Sequence, residues 1–248
     1  MIKAIKEHRS VRNYIPNREI PERTMRELVE AATRASTTGG MQLYSIIVSE
    51  SDEVKEKLSP LHFNQPSVRN CSAVVTFCAD VALFSRWCEL SGVEPAYDNF
   101  AWYVNAAIDA LLAAQNFSTE AEEQGLGICY LGTTIYTTEK IIEVLELPRG
   151  VVPVTTVVVG YAASEVPLTP RLPLEAVWHK ETYNNPNDTQ IKEFWAETEA
   201  SEQTQRLLEE NQLDSLAKIF TERRYTKSDN LAISQSYFEA LRRQGFVG

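Results

Sequence analysis

Two arginines, a histidine and a serine crowd into five positions near the start of the chain, in "EHRSVRNY" (Glu7 to Tyr14). Arginine presents a planar fork of N–H donors that suits phosphate oxygens in pairs, and it stays charged at any physiological pH. His8 and Arg12 are four apart and share a face if a short helix continues through them; Arg9 then points elsewhere, and Ser10 can cap or turn. Anion binding is the chemistry on offer. The plainer reading is a solvated helix end whose arginines pair with Glu7 or other acidic neighbours.

Three more stretches carry candidate chemistry. In "GLGICYLGT" the spacing of Gly125, Gly127 and Gly132 departs from G-x-G-x-x-G, and the first two precede a strand instead of following one. Gly125 and Gly127 are better read as ending a helix, and Gly132 as letting backbone approach a ligand at the far end of the strand. In "PLTPRLPLEAVWH", Arg171 stands among prolines that restrict the local backbone, so it can clamp a phosphate or tie down a loop. "ERRYTKSD" offers Arg223, Arg224 and Lys227, for which a charged surface loop is the default reading. No G-x-S-x-G, G-x-x-x-x-G-K-[ST] or H-E-x-x-H occurs, and no nucleophile–base pair emerges. An enzyme of this sequence therefore relies on a cofactor for its reaction.

Charge narrows the partners. With 34 Asp+Glu against 24 Lys+Arg the net charge is -10, which argues against nucleic acid and against an anionic membrane surface. "FAWYVNAAIDALLAAQNF" is the most apolar run, but Asn105, Asp109 and Gln115 break it, so no membrane span is expected. The opening "MIKAIKEHRS" is amphipathic rather than an apolar signal. Cys71, Cys78, Cys88 and Cys129 form no C-x-x-C pair and read as reduced, mostly buried thiols of a cytoplasmic protein. His8, His62 and His179 lack a second ligand at metal-site spacing, so no metal is expected.

The elements that must position these residues alternate between helix and strand. Helices are expected over about Ile2 to His8 and Pro21 to Arg34, and in "SDEVKEKLSPL" capped by Ser51. A long helix capped by Asp98 or Asn99 runs to about Glu123; its first half is apolar nearly all round and reads as buried mid-fold. "LYSIIVSE", "SAVVTFCAD", "LGICYLG" and "VPVTTVVVGYA" are strand candidates, giving an α/β or α+β sheet with helices packed on it. Composition shifts at "NNPNDTQ", and an acidic helical tail follows, interrupted by the polar loop "TERRYTKSDN".

"HRSVRNY", "AATRASTTGGMQLYSIIV", "NQPSVRNCSAVVTFCAD", "AAIDALLAAQNFSTEAEEQGLGICYLGTTI" and "LPRGVVPVTTVVVGYAASEVPLTPRLPLEAVWH", in this order, resemble the nitroreductase superfamily of FMN-dependent flavoproteins. The resemblance spans most of residues 6 to 183, and the P-R-L-P with a following His looks most like the larger NADPH-type nitroreductase and flavin reductase branch. It implies an α+β, nitroreductase-like fold: a central mixed β-sheet flanked by helices, with a helical C-terminal extension. Residues 1–185 would form the FMN-binding core and 186–248 an extension of the same domain, packed on the core or on a partner subunit. It also implies a homodimer with FMN at the subunit interface.

Carried over position by position, the resemblance assigns His8, Arg9, Ser10 and Arg12 to the FMN phosphate and ribityl chain. Thr37 and Gln42 come from the hydroxyl-rich turn, and Gln65 lies near the flavin ring. Tyr130, Leu131, Gly132 and Thr133 supply backbone around that ring, and Arg171 completes the phosphate clamp. Thr169 stands where relatives often carry lysine, which removes one cationic contact. Lys218, Arg223 and Arg224 are the counterparts of tail residues that bind the 2′-phosphate of NADPH. The implied reaction is ping-pong transfer of hydride from NADPH or NADH to small-molecule oxidants such as nitroaromatics, quinones or free flavin. A flavin-binding redox sensor without turnover, and a specialised enzyme such as a reductive dehalogenase, are the rival readings.

Overall fold

A computed structural model describes residues 1–248. Four strands form one sheet: β1 (Tyr44–Ser49), β2 (Ala73–Asp80), β3 (Gly127–Leu131) and β4 (Val151–Gly160), in the order β1-β2-β4-β3. Every ladder is antiparallel. Parallel pairing enters only where Ser10 bridges Ile128, alongside the β3 edge. β2 is buried along its whole length and β4 nearly so, which is why both read as mostly apolar runs rather than alternating ones.

Helices cover both faces. On one, α6 (Phe100–Glu123) packs against β2 and β4, and α2 (Glu22–Thr33) packs on α6 within the same apolar cluster. Ala106, Ala110, Ala113, Ala114 and Ala121 bring α6 close to the strands, and Phe117 meets Phe77 edge-on with centroids 5.7 Å apart. α3 (Asp52–Leu58) and α7 (Thr138–Val144) lie over the other face around Leu58, Val74, Ile141 and Val158. The caps are local: Ser51 accepts from Val54 N and Asn99 accepts from Trp102 N, each closing a first turn. The helix α1 (Lys3–Lys6) is shorter than expected, and α4 (Pro66–Asn70) and α5 (Ala82–Leu90) lie on either side of β2.

Two differences from the sequence reading have physical causes. α6 is not buried all round: Val104, Ile108, Leu111 and Leu112 are 39 to 48% exposed and form one stripe. An all-apolar helix shows that every face needs cover, but its own sheet covers only one. No helix is long and apolar enough to cross a membrane. The polar stretch 221–230 is also not a plain loop. A wide, π-type helical turn spans Phe220–Arg224, closed by Tyr225 N donating to Phe220 O, and the last helix begins at Lys227, where the Thr226 hydroxyl accepts from Asp229 N at 3.2 Å.

The chain divides into two compact units, Met1–Pro167 with Ile233–Gly248, and Leu168–Ala232. The second holds α8 (Leu174–Val177), α9 (Asp188–Ala200), α10 (Glu202–Asn211), α11 (Leu216–Ile219) and the start of α12 (Lys227–Arg243). Asn187 and Gln190 form a capping box on α9, and the Glu199 carboxylate accepts from Leu216 N at 3.0 Å, which fastens α11 to the end of α9.

Candidate functional site

The "HRSVR" segment is extended rather than helical beyond Glu7, and it runs beside β3: Val11 N donates to Ile128 O at 2.8 Å. Alternation along an extended chain then sorts the side chains. Val11 turns into the core, and Arg9 with it lines a cavity of about 430 Å³ together with Gly127 and residues 162–166. His8, Ser10 and, by alternation, Arg12 belong to the other face. Gly127 permits this close approach, since a Cβ there would stand 2.7 Å from Val11 Cβ.

Glu122, near the end of α6, fixes the start of the segment. Its carboxylate takes His8 Nδ1 at 2.8 and 2.9 Å and accepts from Arg9 N at 3.3 Å. With Nδ1 so engaged, Nε2 is the ring atom left for a ligand. Arg12 is exposed and no carboxylate lies within ion-pair distance of it, in a chain rich in carboxylates. Tyr14 anchors the far side, its buried hydroxyl donating to Val11 O at 2.7 Å.

At the C-terminal end of β3 the four assigned residues differ in what they present. Tyr130 sends its ring into the core, where its hydroxyl accepts from Ser118 at 3.2 Å, and Leu131 is buried, so both can offer a ligand backbone only. Gly132 is exposed and nothing lies within 4 Å of where its Cβ would be. Thr133, half-buried, follows it in a 3-10 turn, Gly132–Tyr136. Facing it is a second such turn, Ser59–His62, followed by Phe63, Asn64 and Gln65. His62 Nδ1 and Thr133 Oγ1 are 2.7 Å apart, and Thr137 Oγ1 donates to Leu61 O at 2.9 Å. Gln65 is half-buried, and its carboxamide makes no hydrogen bond within the chain. Segment 8–12, Gln65 and Gly132–Thr133 therefore gather at the β3 edge.

Thr37 and Gln42 do not join them. Their turn leads into β1, at the opposite edge of the sheet. Gly39 and Gly40 take φ of 60° and 72°, and Gln42, exposed, takes 54°. Asp109 holds this turn: buried on α6, it accepts from Thr38 N at 2.9 Å, Thr38 Oγ1 at 3.2 Å and Leu43 N at 3.3 Å. Asp109 and Glu122 are thirteen residues apart on one helix, about 20 Å along its axis. Across the sheet the two edges are three strand spacings apart, about 14 Å.

The remaining candidates lie in the second unit. Arg171 is exposed, with Nη1 donating to Thr169 Oγ1 at 2.7 Å, so Thr169 supplies no charge but orients its neighbour. Lys218 is paired with Asp214 at 2.7 Å, whereas Arg223 and Arg224 are exposed and form no ion pair. Asp109, Glu122 and His62 take part in the site's geometry although no motif marks them. Asp109 and Glu122 had a faint signal as carboxylates in or beside an apolar run; His62 had none beyond its lack of metal-ligand neighbours.

The sequence profile of the Nitroreductase family matches residues 5–161. The chain is 38% identical over 185 residues to the FMN reductase (NADPH) of Bacillus subtilis (strain 168), covering 74% of each protein. An NADPH-dependent oxidoreductase of Staphylococcus aureus (strain USA300) is 35% identical over 195 residues, 77% of this chain and 76% of that one. Among solved structures, the NfrA1 nitroreductase from B. subtilis matches with a TM-score of 0.85 at 31% identity over 98% of both chains. A protein of Bacteroides fragilis NCTC 9343, provisionally named an oxidoreductase, matches with a TM-score of 0.97 at 44% identity over 100% of both.

Proposed function

The chain belongs to the Nitroreductase family, and on that premise we propose that it is an NAD(P)H-dependent FMN oxidoreductase working as a homodimer. When bound, FMN would supply two-electron hydride chemistry between a nicotinamide and an oxidant, in the ping-pong order proposed for this chain. Nitroaromatics, quinones and free flavin are the oxidants in view. The residues at the β3 edge suit such a cofactor: an unpaired guanidinium on Arg12, a carboxamide without intrachain partners on Gln65, and open backbone at Gly132.

The observation that carries the dimeric reading is the split of the candidate residues between two sheet edges. One chain holds segment 8–12, Gln65 and Gly132–Thr133 at the β3 edge, and Thr37 and Gln42 at the β1 edge. In the proposed dimer, a two-fold pairing through the exposed α6 stripe would bring the β1-edge turn of one subunit to the β3 edge of the other. Each pocket then draws on both subunits, and neither chain is complete alone.

Within such a pocket the chain's own groups bind and orient. His8, held by Glu122, and Arg12 meet the phosphate, and Ser10 adds a hydroxyl. Gln65 and the backbone from Leu131 to Thr133 border the ring, where fixed donors favour the negative charge of the reduced state. Arg223 and Arg224, which form no ion pair, are chemically better suited to a nicotinamide 2′-phosphate than Lys218, which Asp214 pairs.

The test is direct. The purified protein is expected to be yellow, to release FMN on denaturation, to run as a dimer, and to oxidise NADPH or NADH with a nitroaromatic or quinone acceptor. Protein that takes up no FMN overturns the reading; bound flavin that neither nicotinamide reduces leaves a sensor instead of an enzyme.

A further inference from the structure

His62 is fully buried, its Nε2 has no hydrogen-bond partner, and nothing in the proposed chemistry uses it. Its one polar contact crosses from the 59–62 turn to Thr133. Two other contacts join the same segments: Thr137 Oγ1 to Leu61 O, and the rings of Phe63 and Tyr136, with centroids 6.0 Å apart. Between His62 and Gln65 the backbone turns left-handed twice, at Phe63 (φ 57°) and Asn64 (φ 54°). That conformation is unfavourable for a bulky residue such as phenylalanine and persists only where its surroundings impose it. Gln65 N closes the turn by donating to His62 O at 3.2 Å, and Asn64 Oδ1 accepts from Arg69 at 3.0 Å. The direction in which Gln65 leaves the turn is therefore set by an anchor at each end, and His62 is the inner one.

The tautomer follows from the same geometry. Burial lowers the His62 pKa to about 4, so the ring carries a single N–H at neutral pH. An N–H on Nε2 would be buried with no acceptor, which folded proteins tolerate less well than an unused lone pair. The proton belongs on Nδ1, where it donates to Thr133 Oγ1. The Thr133 hydroxyl then has its own hydrogen free to donate outward.

We propose that His62 is a positioning residue for the flavin site: it fixes the Thr133 hydroxyl as an outward donor and ties the Gln65 turn to the end of β3, so that both meet the flavin ring as one preorganised edge. The proposal rests on the flavin reading given above. It touches no reacting atom; its effect passes through Thr133 and Gln65.

The experiment compares wild type, His62→Leu, His62→Asn, Thr133→Val and the His62→Leu/Thr133→Val double variant. Each apo-protein is first unfolded in urea to establish that it folds, then titrated with FMN by flavin fluorescence, and the visible spectrum of the bound flavin is recorded. His62→Leu is expected to weaken FMN about tenfold, the scale of one net hydrogen bond, and to shift the flavin absorption bands. Asn places a polar nitrogen near the Nδ1 position, so His62→Asn is expected to restore affinity to within about threefold and to return the spectrum. Thr133→Val should match His62→Leu, and the double variant should lose no more than either. If His62→Leu does not fold, His62→Asn and Thr133→Val carry the comparison, and wild-type behaviour in Thr133→Val overturns the proposal. A folded His62→Leu with wild-type affinity and spectrum also overturns it, while the flavin reading stands. Wild type that binds no FMN overturns both.

Discussion

Two arginines three positions apart make the sharpest contrast in this chain. Arg12 is exposed with no carboxylate near, on the face of the extended segment that carries His8 and Ser10; Arg9 shares the opposite face with Val11 and a cavity of its own. Removing a charge-assisted hydrogen bond costs about 1.5–3 kcal/mol, so Arg12→Ala should weaken FMN roughly tenfold to a hundredfold. Arg9→Ala should change affinity less than about threefold. Equal losses, measured by FMN titration of the two variants, would show that alternation does not govern which arginine reaches the phosphate. His62 makes a second prediction, about stability. Its folded pKa near 4 lies below the ordinary 6.5, so between these values the unfolded chain binds more protons than the folded one. The protein is then fully stabilised by this group above about pH 6.5 and loses that stability as pH falls, by ~2–3 kcal/mol on reaching pH 4.5. Urea unfolding of wild type and His62→Asn at pH 7 and pH 4.5 checks this; the same drop in both removes His62 as its cause.

At the scale of elements, the turn before β1 depends on a carboxylate distant in sequence. Asp109 satisfies two backbone N–H groups and one hydroxyl of the 38–43 turn from the middle of α6. Asp109→Leu keeps the bulk but strands those donors, each at about 1–3 kcal/mol, so a loss of about 3 kcal/mol is expected in urea unfolding. Asp109→Asn, which retains an acceptor oxygen, should lose about 1 kcal/mol. A Leu variant within about 0.5 kcal/mol of wild type means that solvent satisfies the turn. Asp109 also illustrates what a sequence displays and what it hides. The four strands and the long helix were legible because apolar runs, Ser51 and Asn99 are local signals, and they match β1 to β4 and α6 closely. Asp109 was visible only as an interruption in an apolar run. That it reaches back to Thr38, that Glu122 reaches back to His8, and that β3 lies outside β4 are long-range pairings, on which spacing along the chain is silent. The start of α12 was hidden for a different reason: its first turn is polar and capped by Thr226, so it has the composition of a loop.

The exposed stripe on α6 bears on the whole molecule. Val104, Ile108, Leu111 and Leu112 recur at helical spacing and stay outside the chain's own core; in the proposed dimer they form the contact surface. The same helix carries Asp109 toward its middle and Glu122 near its end, so pairing two copies through it also sets the distance between the β1-edge turn and the β3 edge. Dimerisation and FMN binding should therefore fail together. Ile108→Glu with Leu112→Glu places carboxylates on the stripe without removing any fully buried side chain. The double variant is expected to run as a folded monomer, with far-ultraviolet circular dichroism unchanged and FMN affinity lowered at least a hundredfold, the scale of losing one side of a pocket. Added FMN should raise the melting point of wild type, by linkage worth about 2.7 kcal/mol at a hundred times Kd, and leave the monomer's unchanged. A monomeric variant that still binds FMN as wild type does would place every necessary contact within one chain, and the separation of Thr37 and Gln42 from the β3 edge would then have to be closed by movement of the turn rather than by a second subunit.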